Sequence, residues 1–286
     1  MTDPNLKAET GVDGLDDVLV GGLRRGRVYL LEGTPGTGKT TIAAQFLLEG
    51  AKRGERGLYI TLSETEDELR ETSESHGWTF DDSTEIFELV PPESLLDNEQ
   101  QQSLLYSSDL ELGETTQRIF EAIEKHNPQR VVLDSLSEIR LLAQSSLRYR
   151  RQVLALKQYL AGKGCTTLFL DDRTALSGDL QVRSVAHGVI TLELINQGYG
   201  SERRRVRIVK YRGIAFRGGS HDYKIVKGGL VVYPRLIAAQ SRVVEERKQL
   251  SSGLPELDAL TGGGDSTTSR STASCCASPR PRWRRG

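Results

Sequence analysis

A glycine-rich loop near the amino terminus constrains the fold of this chain more than any other feature. Residues 33–41 read GTPGTGKTT, which fits the phosphate-loop pattern of Gly, any four residues, then Gly-Lys-Ser/Thr. The apolar run Val28 to Leu31 precedes the loop, and a helical pattern from Thr41 to Arg53 follows it. This strand-to-helix context is the one that the motif requires. The loop therefore predicts an α/β fold with a phosphate-binding site.

The chemistry expected of this loop is the binding of ATP together with Mg²⁺. Glycines let backbone N–H groups turn inward, so that these groups and the following helix N-terminus surround a polyphosphate. Lys39 then reaches the β- and γ-phosphates and assists catalysis, while the Thr40 hydroxyl holds Mg²⁺. The residues predicted to contact the nucleotide are Gly33, Thr34, Pro35, Gly36, Thr37, Gly38, Lys39, Thr40 and Thr41.

The rest of the chain first alternates between strand-like and helical patterns. Strands are predicted over 58–62, 86–90, 130–135 and 166–170, and helices over 65–76, 115–126 and 149–162. The period then changes to two, with strand-like runs over 189–194, 203–212, 223–226 and 230–233. We expect a mostly parallel sheet flanked by helices, with an added antiparallel meander at its C-terminal end. The polar segment 93–113 is predicted to be a mobile flap.

Two acidic residues follow predicted strands. Asp134 ends an apolar run, at the position where ligands bind in open α/β sheets. Alone it could equally be a helix cap, but with the phosphate loop upstream it predicts the Walker B carboxylate, which binds Mg²⁺ directly or through water. Glu64 follows the strand over 58–62 and is the acid best placed to orient or deprotonate an attacking water. A solvated residue before a helix is the alternative for Glu64.

Several runs resemble the KaiC-type ATPases, a branch of the RecA-like family. They are GVDGLDDVLVGGL, VVLDSLSEIRLL and ERRRVRIVKYRG, and with the phosphate loop they extend the resemblance from about residue 10 to residue 242. The resemblance implies a RecA-like fold and slow ATP hydrolysis at the subunit boundaries of a head-to-tail, hexamer-type ring. It also implies that Ser75 lies beside the base of the bound nucleotide, although an ordinary helix-end serine is the alternative.

The resemblance assigns a second group of catalytic residues to the neighbouring subunit. A Lys-x-Arg-Gly motif, here Lys210, Arg212 and Gly213, is presented to the nucleotide of the adjacent subunit in this family. Lys210 and Arg212 are two apart on a predicted strand, so their side chains leave the same face. An arginine supplied in this way offsets charge on the transferred phosphoryl group. The alternative is a solvated basic strand edge.

Two departures from the family pattern affect the expected activity. The best-known KaiC proteins have two consecutive glutamates where this chain has Ser63 and Glu64. A serine orients water but is no base near pH 7, which implies slow hydrolysis. Ile214 and Phe216 stand where relatives have Thr and His, which implies fewer contacts with the neighbour's nucleotide.

The C-terminal part contains a partial repeat. Residues 252–264 align without gaps on 10–22 and share Gly11/Gly253, Leu15/Leu257, Asp16/Asp258, Gly21/Gly263 and Gly22/Gly264. We therefore predict an ATPase domain over 1–242, then a linker and the start of a truncated second KaiC domain over 243–264. Residues 265–286 have no aliphatic side chain larger than Ala, and we predict a disordered tail that a reading-frame shift has produced. A basic tail selected for binding is the alternative.

Charge and hydropathy limit the remaining function classes. Lys and Arg are absent from residues 71–117, whereas residues 203–217 contain seven of them. We expect this basic stretch, 203–217, to bind either nucleic acid or the nucleotide of a neighbouring subunit. We expect a cytoplasmic homo-oligomer with regulatory protein partners and no membrane, since no apolar run is long enough to span a bilayer and no export signal is present. Nucleic-acid binding is not expected.

Four alternative functions stay open. They are a RecA/RadA-like DNA recombination or repair ATPase, a regulatory module in which ATP serves only for assembly, an inactive frameshifted product, and a KaiC-type serine/threonine autokinase in a full-length parent.

Overall fold

The computed structural model describes residues 6–89, 104–172, 180–196, 198–236, 249–250, 253–261 and 265–266. The chain divides into two compact units, Met1–Arg235 and Leu236–Gly286. The domain boundary predicted at residue 242 lies outside the described residues and stays a prediction. No helix within the described ranges is both long enough and apolar enough to cross a membrane.

The first unit alternates strands and helices before ending in a series of strands. Its elements in chain order are β1 (Lys7–Ala8), α1 (Leu15–Val18), β2 (Leu23–Arg24), β3 (Val28–Gly33), α2 (Lys39–Lys52), β4 (Gly57–Thr61), α3 (Glu66–Ser75), β5 (Thr84–Glu88), α4 (Leu104–His126), β6 (Arg130–Asp134), α5 (Leu136–Ala143), α6 (Ser146–Gly162), β7 (Thr166–Asp172), α7 (Leu180–Val185), β8 (Gly188–Ile195), β9 (Arg203–Tyr211), β10 (Ser220–Val226) and β11 (Gly229–Tyr233).

A nine-stranded sheet forms the centre of this unit in the part of the chain that the structure describes. Its strand order is β11-β10-β9-β8-β3-β7-β6-β4-β5. The strands from β8 to β5 in that order are parallel, whereas β8, β9, β10 and β11 pair antiparallel. The fold is therefore the expected mostly parallel sheet with helices and a C-terminal antiparallel meander. The short strands β1 and β2 pair separately.

The sheet separates two hydrophobic cores, and alternate residues of its strands face opposite sides. One core lies on the α2 side and includes Leu31, Ile42, Phe46, Leu47, Tyr59, Val132 and Leu170. The other lies beneath α4, α5 and α6 and includes Leu30, Leu58, Ile60, Leu133, Leu136, Val153 and Phe169. Burial on both faces explains why the parallel strands read as continuous apolar runs.

The prediction of a flap over 93–113 was wrong for its second half. Residues 104–113 belong to α4, which begins eleven residues before the predicted start at 115, while residues 90–103 lie outside the described residues. Polar composition misled the prediction, because one apolar stripe is enough for a helix that packs on a sheet. In α4 that stripe includes Leu112, Ile119 and Ile123, all of them buried.

Three helices of this unit were not predicted, namely α5, α7 and the four-residue α1. The first is α5, an eight-residue helix that buries Leu136, Ile139 and Ala143. The second is α7, which has six residues and is too short to show a helical period. The remaining boundaries differ by a few residues, with β5 ending at Glu88 rather than at residue 90, and α6 beginning at Ser146, after the N-cap Ser145.

The second unit contains β12 (Gln249–Leu250), α8 (Pro255–Thr261) and β13 (Asp265–Ser266), and the two strands pair antiparallel. The helix α8 lies in the repeat segment that aligns with α1. Residues 265–266, predicted as the start of a disordered tail, form a strand. Residues 267–286 lie outside the described residues, so the nature of the tail stays a prediction.

We predict that Gly229→Ala destabilises the fold more than Gly228→Ala. Both glycines have a positive φ, which costs a substituted alanine about 1–2 kcal/mol. A Cβ at Gly229 would also lie 2.5 Å from Cζ2 of Trp78 and 2.6 Å from Cδ of Gln45, whereas a Cβ at Gly228 has nothing within 4 Å. Overpacking adds about 1–3 kcal/mol at Gly229 alone. Urea unfolding of both variants tests this, and equal losses would contradict the packing seen at this turn.

Candidate functional site

The candidate site lies at the carboxyl ends of four parallel strands. Gly33 of β3 is in register with Asp172 of β7, and Thr61 of β4 is in register with Asp134 of β6. The strands therefore end at one level, and the glycine loop between β3 and α2 lies at this edge. Open α/β sheets bind ligands at such an edge.

Backbone geometry explains the glycines of the loop. Gly36 and Gly38 have φ values of 78° and 90°, which residues with side chains rarely adopt. A Cβ at Gly33 would lie 2.6 Å from Oγ1 of Thr37, so a side chain is excluded there as well. The Thr37 hydroxyl donates to the carbonyl of Thr34 at 2.7 Å. The sequence thus produces the strand, loop and helix expected of a phosphate-binding loop.

Lys39 is held inside this loop. Its buried ammonium group donates to the carbonyl oxygens of Gly33 at 3.0 Å and Thr34 at 3.3 Å. It also pairs with the Asp172 carboxylate, at 2.8 Å between Nζ and Oδ1. The ammonium is therefore positioned at the loop by partners whose place phosphate oxygens can take.

Asp134 and Thr40 are the predicted magnesium ligands. The buried Asp134 carboxylate accepts a hydrogen bond of 2.6 Å from the Tyr59 hydroxyl, and Thr40 also interacts with Tyr59. Burial raises the pKa of Asp134, and the Tyr59 hydrogen bond and the charge of Lys39 oppose this rise. Mg²⁺ prefers six oxygen ligands and keeps several waters. One hydroxyl and one carboxylate therefore fit Mg²⁺ when phosphate oxygens and water supply the other ligands.

Glu64 lies at the same edge of the sheet. The backbone N–H of Glu64 donates a hydrogen bond to the Thr61 hydroxyl at 3.0 Å, and this hydroxyl donates one to the carbonyl of Glu64 at 2.8 Å. These two bonds fix the backbone after β4. Burial and the nearby Asp134 carboxylate raise the pKa of Glu64. A carboxylate with a raised pKa is a stronger base, as the predicted catalytic role requires.

Ser75 lies at the end of α3 rather than within the loop. It is exposed, and its hydroxyl donates to the carbonyl of Thr72 at 2.7 Å. The next residue, His76, joins the turn between β10 and β11, because its carbonyl accepts from the N–H of Gly228 at 3.1 Å. The contact of Ser75 with the base of the nucleotide therefore stays a prediction.

Lys210 and Arg212 are far from the glycine loop of their own protomer. The ammonium of Lys210 donates to the carbonyls of Arg183 and Ala186 at 2.7 Å each, and Arg212 donates to the carbonyl of Ser184 at 2.6 Å. These groups lie at the amino end of β8, whereas the loop follows the carboxyl end of β3. The two sets of predicted residues are thus at opposite edges of the sheet. The side chains of Lys210 and Arg212 both reach the carbonyls at the end of α7, in agreement with the prediction that they leave the same face of the strand.

Sequence reasoning missed three residues of the site. Asp172 pairs with Lys39, Tyr59 donates to Asp134, and the Tyr223 hydroxyl donates to the carbonyl of Thr37 at 2.6 Å. Asp172 could have been found, because it also ends an apolar strand. The two tyrosines carried no such signal, since each reads as a core aromatic residue.

These features define a class of protein. A glycine loop between a buried parallel strand and a helix, with a lysine inside it and a carboxylate at the end of another parallel strand, is the nucleotide-binding arrangement of P-loop proteins with a RecA-like fold. Within that class, the family model described as "ATPase: KaiC" matches residues 8–237. The chain belongs to the KaiC ATPase family.

Individual relatives agree with this assignment. The chain is 31% identical over 271 residues to circadian clock protein KaiC3 of Synechocystis, a match that covers 92% of this chain and 52% of the relative. It is 31% identical to circadian clock oscillator protein KaiC of Parathermosynechococcus lividus, covering 90% and 48%. It is 30% identical to UPF0273 protein PH0284 of Pyrococcus horikoshii, covering 84% and 98%. The chain thus spans about half of the clock relatives and nearly all of the archaeal one.

We predict that Glu64→Gln stabilises the nucleotide-free protein at pH 7. Because the pKa of Glu64 is higher in the folded than in the unfolded protein, its ionised form opposes folding. This destabilisation is present at neutral pH and is lost as the pH falls toward the ordinary glutamate pKa of 4.5. The stability gain of the variant should therefore shrink toward zero between pH 7 and pH 4.5 in urea unfolding.

Glu68→Gln is the matched comparison with the opposite sign. Hydrogen bonds from Thr65 lower the pKa of Glu68, so its ionised form favours folding. This variant should lose stability or keep it, and should not gain any at pH 7. A gain for Glu68→Gln, or a loss for Glu64→Gln, would contradict the charge arrangement at this edge.

Proposed function

We propose that this chain binds Mg·ATP at its glycine loop and hydrolyses ATP slowly at the boundaries between subunits of a ring-like, head-to-tail oligomer. The observation that carries the proposal is the position of Lys210 and Arg212. They lie at the opposite edge of the sheet from the loop, with β3 running between the two edges. A head-to-tail arrangement brings one edge of each copy to the other edge of the next.

The loop edge carries the groups needed in the protomer that holds the nucleotide. Lys39 neutralises the β- and γ-phosphates, and Thr40 and Asp134 hold Mg²⁺. Glu64 accepts the proton of the attacking water or orients that water. The residue before it, Ser63, offers no second carboxylate, and this supports a slow rate. When bound, Mg²⁺ offsets the charge that develops on the phosphates.

The opposite edge carries cations without carboxylate partners. No ion pair within the described ranges includes Lys210 or Arg212. Burial, Arg212 and Lys157 lower the pKa of Lys210, while burial, Arg212 and Arg27 lower the pKa of Lys157. Crowded cations of this kind favour an anion from outside the protomer, and a neighbour's triphosphate has that charge.

The biological role is proposed from the relatives and from the basic strand. Two relatives bear the name of a circadian clock protein, which supports a role in clock-type regulation or signalling with regulatory protein partners in the cytoplasm. Two cations of β9, Arg203 and Arg205, pair with Asp222 within the protomer at 2.6 and 3.2 Å. They are therefore partly neutralised, which favours a protein role over nucleic-acid binding.

We predict that Lys39→Ala abolishes measurable binding of Mg·ATP. Removing a buried charge from its ionic partner costs about 2–5 kcal/mol, or roughly 30-fold or more in Kd. Lys52→Ala is the control, because Lys52 lies on the same helix and its side chain is 74% exposed against 10% for Lys39. Calorimetric titration measures both variants. Unchanged affinity of Lys39→Ala would reject the nucleotide site.

We predict that Arg212→Ala lowers turnover by at least about tenfold and changes Kd by less than about threefold, because an arginine supplied in trans acts on the transition state. Arg207→Ala is the control, since Arg207 is an exposed arginine on β9. Phosphate release and titration on the same samples separate turnover from binding. If parent and Arg212→Ala turn over equally, Arg212 has no catalytic role.

We predict that mixing Lys39→Ala with Arg212→Ala restores activity that neither variant has alone. A loop from one variant then meets the arginine of the other, so that intact sites form at some boundaries. Phosphate release and molar mass, measured with and without Mg·ATP, test hydrolysis and assembly together. Assembly without single-turnover hydrolysis in the parent would instead favour ATP as an assembly ligand. Absence of restoration would count against the shared site.

A further inference from the structure

The helix α7 connects the two edges of the sheet within one protomer. At the loop edge, Glu32 immediately precedes Gly33, the first glycine of the loop, and is 5% exposed. At the other edge lie the carbonyls that hold Lys210 and Arg212. One residue of α7, Arg183, contacts both edges. Its side chain binds Glu32 at the loop edge, and its carbonyl accepts a hydrogen bond from Lys210 at the other edge.

The contact at the loop edge is an ion pair between the buried Glu32 and the half-buried Arg183. Two of the guanidinium nitrogens of Arg183, Nε and Nη2, donate to the Glu32 carboxylate, and the bond from Nε is 2.8 Å long. The Thr191 hydroxyl of β8 donates to the same carboxylate at 2.7 Å. This bidentate geometry fixes the direction of Arg183 and therefore the rotation of α7.

The contact at the other edge is made by the carbonyl oxygens that end α7. Four successive carbonyls, those of Arg183, Ser184, Val185 and Ala186, accept hydrogen bonds from cationic side chains. The donors are Lys210, Arg212 and Lys157. Carbonyls at the end of a helix favour such cations. The position of this helix end therefore sets the position of the cations.

We propose that Glu32 and Arg183 are positioning residues for Lys210 and Arg212, so that their ion pair acts on ATP hydrolysis in the neighbouring protomer rather than in their own. This inference rests on the proposed function. The ion pair holds α7, the end of α7 holds the two cations, and the cations meet the neighbour's nucleotide. A loop strand in one protomer is thereby linked to catalysis at the next site.

The competing possibility is that Glu32 acts only on its own loop, since it adjoins Gly33. The two possibilities differ in which protomer loses activity. Glu32→Gln removes the charge but keeps the shape and the acceptor for Thr191. We expect this variant to lower turnover by at least about fivefold while the Kd for Mg·ATP stays within about twofold, because its own Lys39 loop is intact.

Two mixtures decide which protomer is affected. Glu32→Gln mixed with Lys39→Ala joins a Glu32→Gln loop to an intact set of donor cations, and we expect turnover to be regained. Glu32→Gln mixed with Arg212→Ala offers only impaired donors, and we expect no regain. If Glu32 acts on its own loop, the two mixtures give the opposite results, and the inference is overturned.

Further variants keep the test decisive. Arg183→Gln should behave like Glu32→Gln in both mixtures, and it replaces that variant if Glu32→Gln fails to fold. Arg70→Gln, which breaks an exposed ion pair with Glu66, is the control and should match the parent. Parent-like turnover of both test variants would overturn the inference. Failure of Lys39→Ala and Arg212→Ala to restore each other would instead reject the shared site on which it rests.

Discussion

The structure depends on the burial of β3 between β7 and β8. All six residues of this strand are buried, and it pairs in parallel on both sides. Parallel pairing fixes the level at which each strand ends, so Gly33 and Asp172 face each other across the sheet edge. A shift of one residue would exchange the two faces of β3 and move the loop away from its partners. The hydrophobic core thus determines where the phosphate-binding groups lie.

The charges at the loop edge are arranged for a ligand rather than for the stability of the protein alone. Lys39 is one cation among the carboxylates of Glu64, Asp134 and Asp172, and burial raises the pKa of Glu64 and Asp134. Such carboxylates cost folding free energy that a structural ion pair would not. In the Mg·ATP complex that we propose, Mg²⁺ would compensate these carboxylates and offset this cost. The opposite edge has the reverse arrangement, with cations and no carboxylate partner in the described ion pairs.

How much of this could be predicted depended on how local each signal was. The loop and Asp134 were readable because a motif and a strand end each determine chemistry nearby. The fold class followed from the change in period along the chain. By contrast, α5 and α7 have only eight and six residues, and the many Gln, Ser and acidic residues of 93–113 concealed the start of α4. The contacts of Lys210 join residues more than twenty positions apart, and only the folded chain shows that its ammonium meets the end of α7.

A protomer with cations at one edge and carboxylates at the other has a direction, and this has a consequence for assembly. A two-fold dimer formed through the cationic edge alone would bring cation against cation, at a cost in free energy that a head-to-tail contact avoids. Successive head-to-tail contacts repeat one boundary around a ring, so each protomer donates to one neighbour and receives from the other. In the ring that we propose, α7 would link the two boundaries of each protomer, because its Arg183 contacts Glu32 at one edge and Lys210 at the other. Any coupling free energy between the binding of nucleotide at two adjacent sites of such a ring would be equal in both directions, although the two protomers contribute different residues to each boundary.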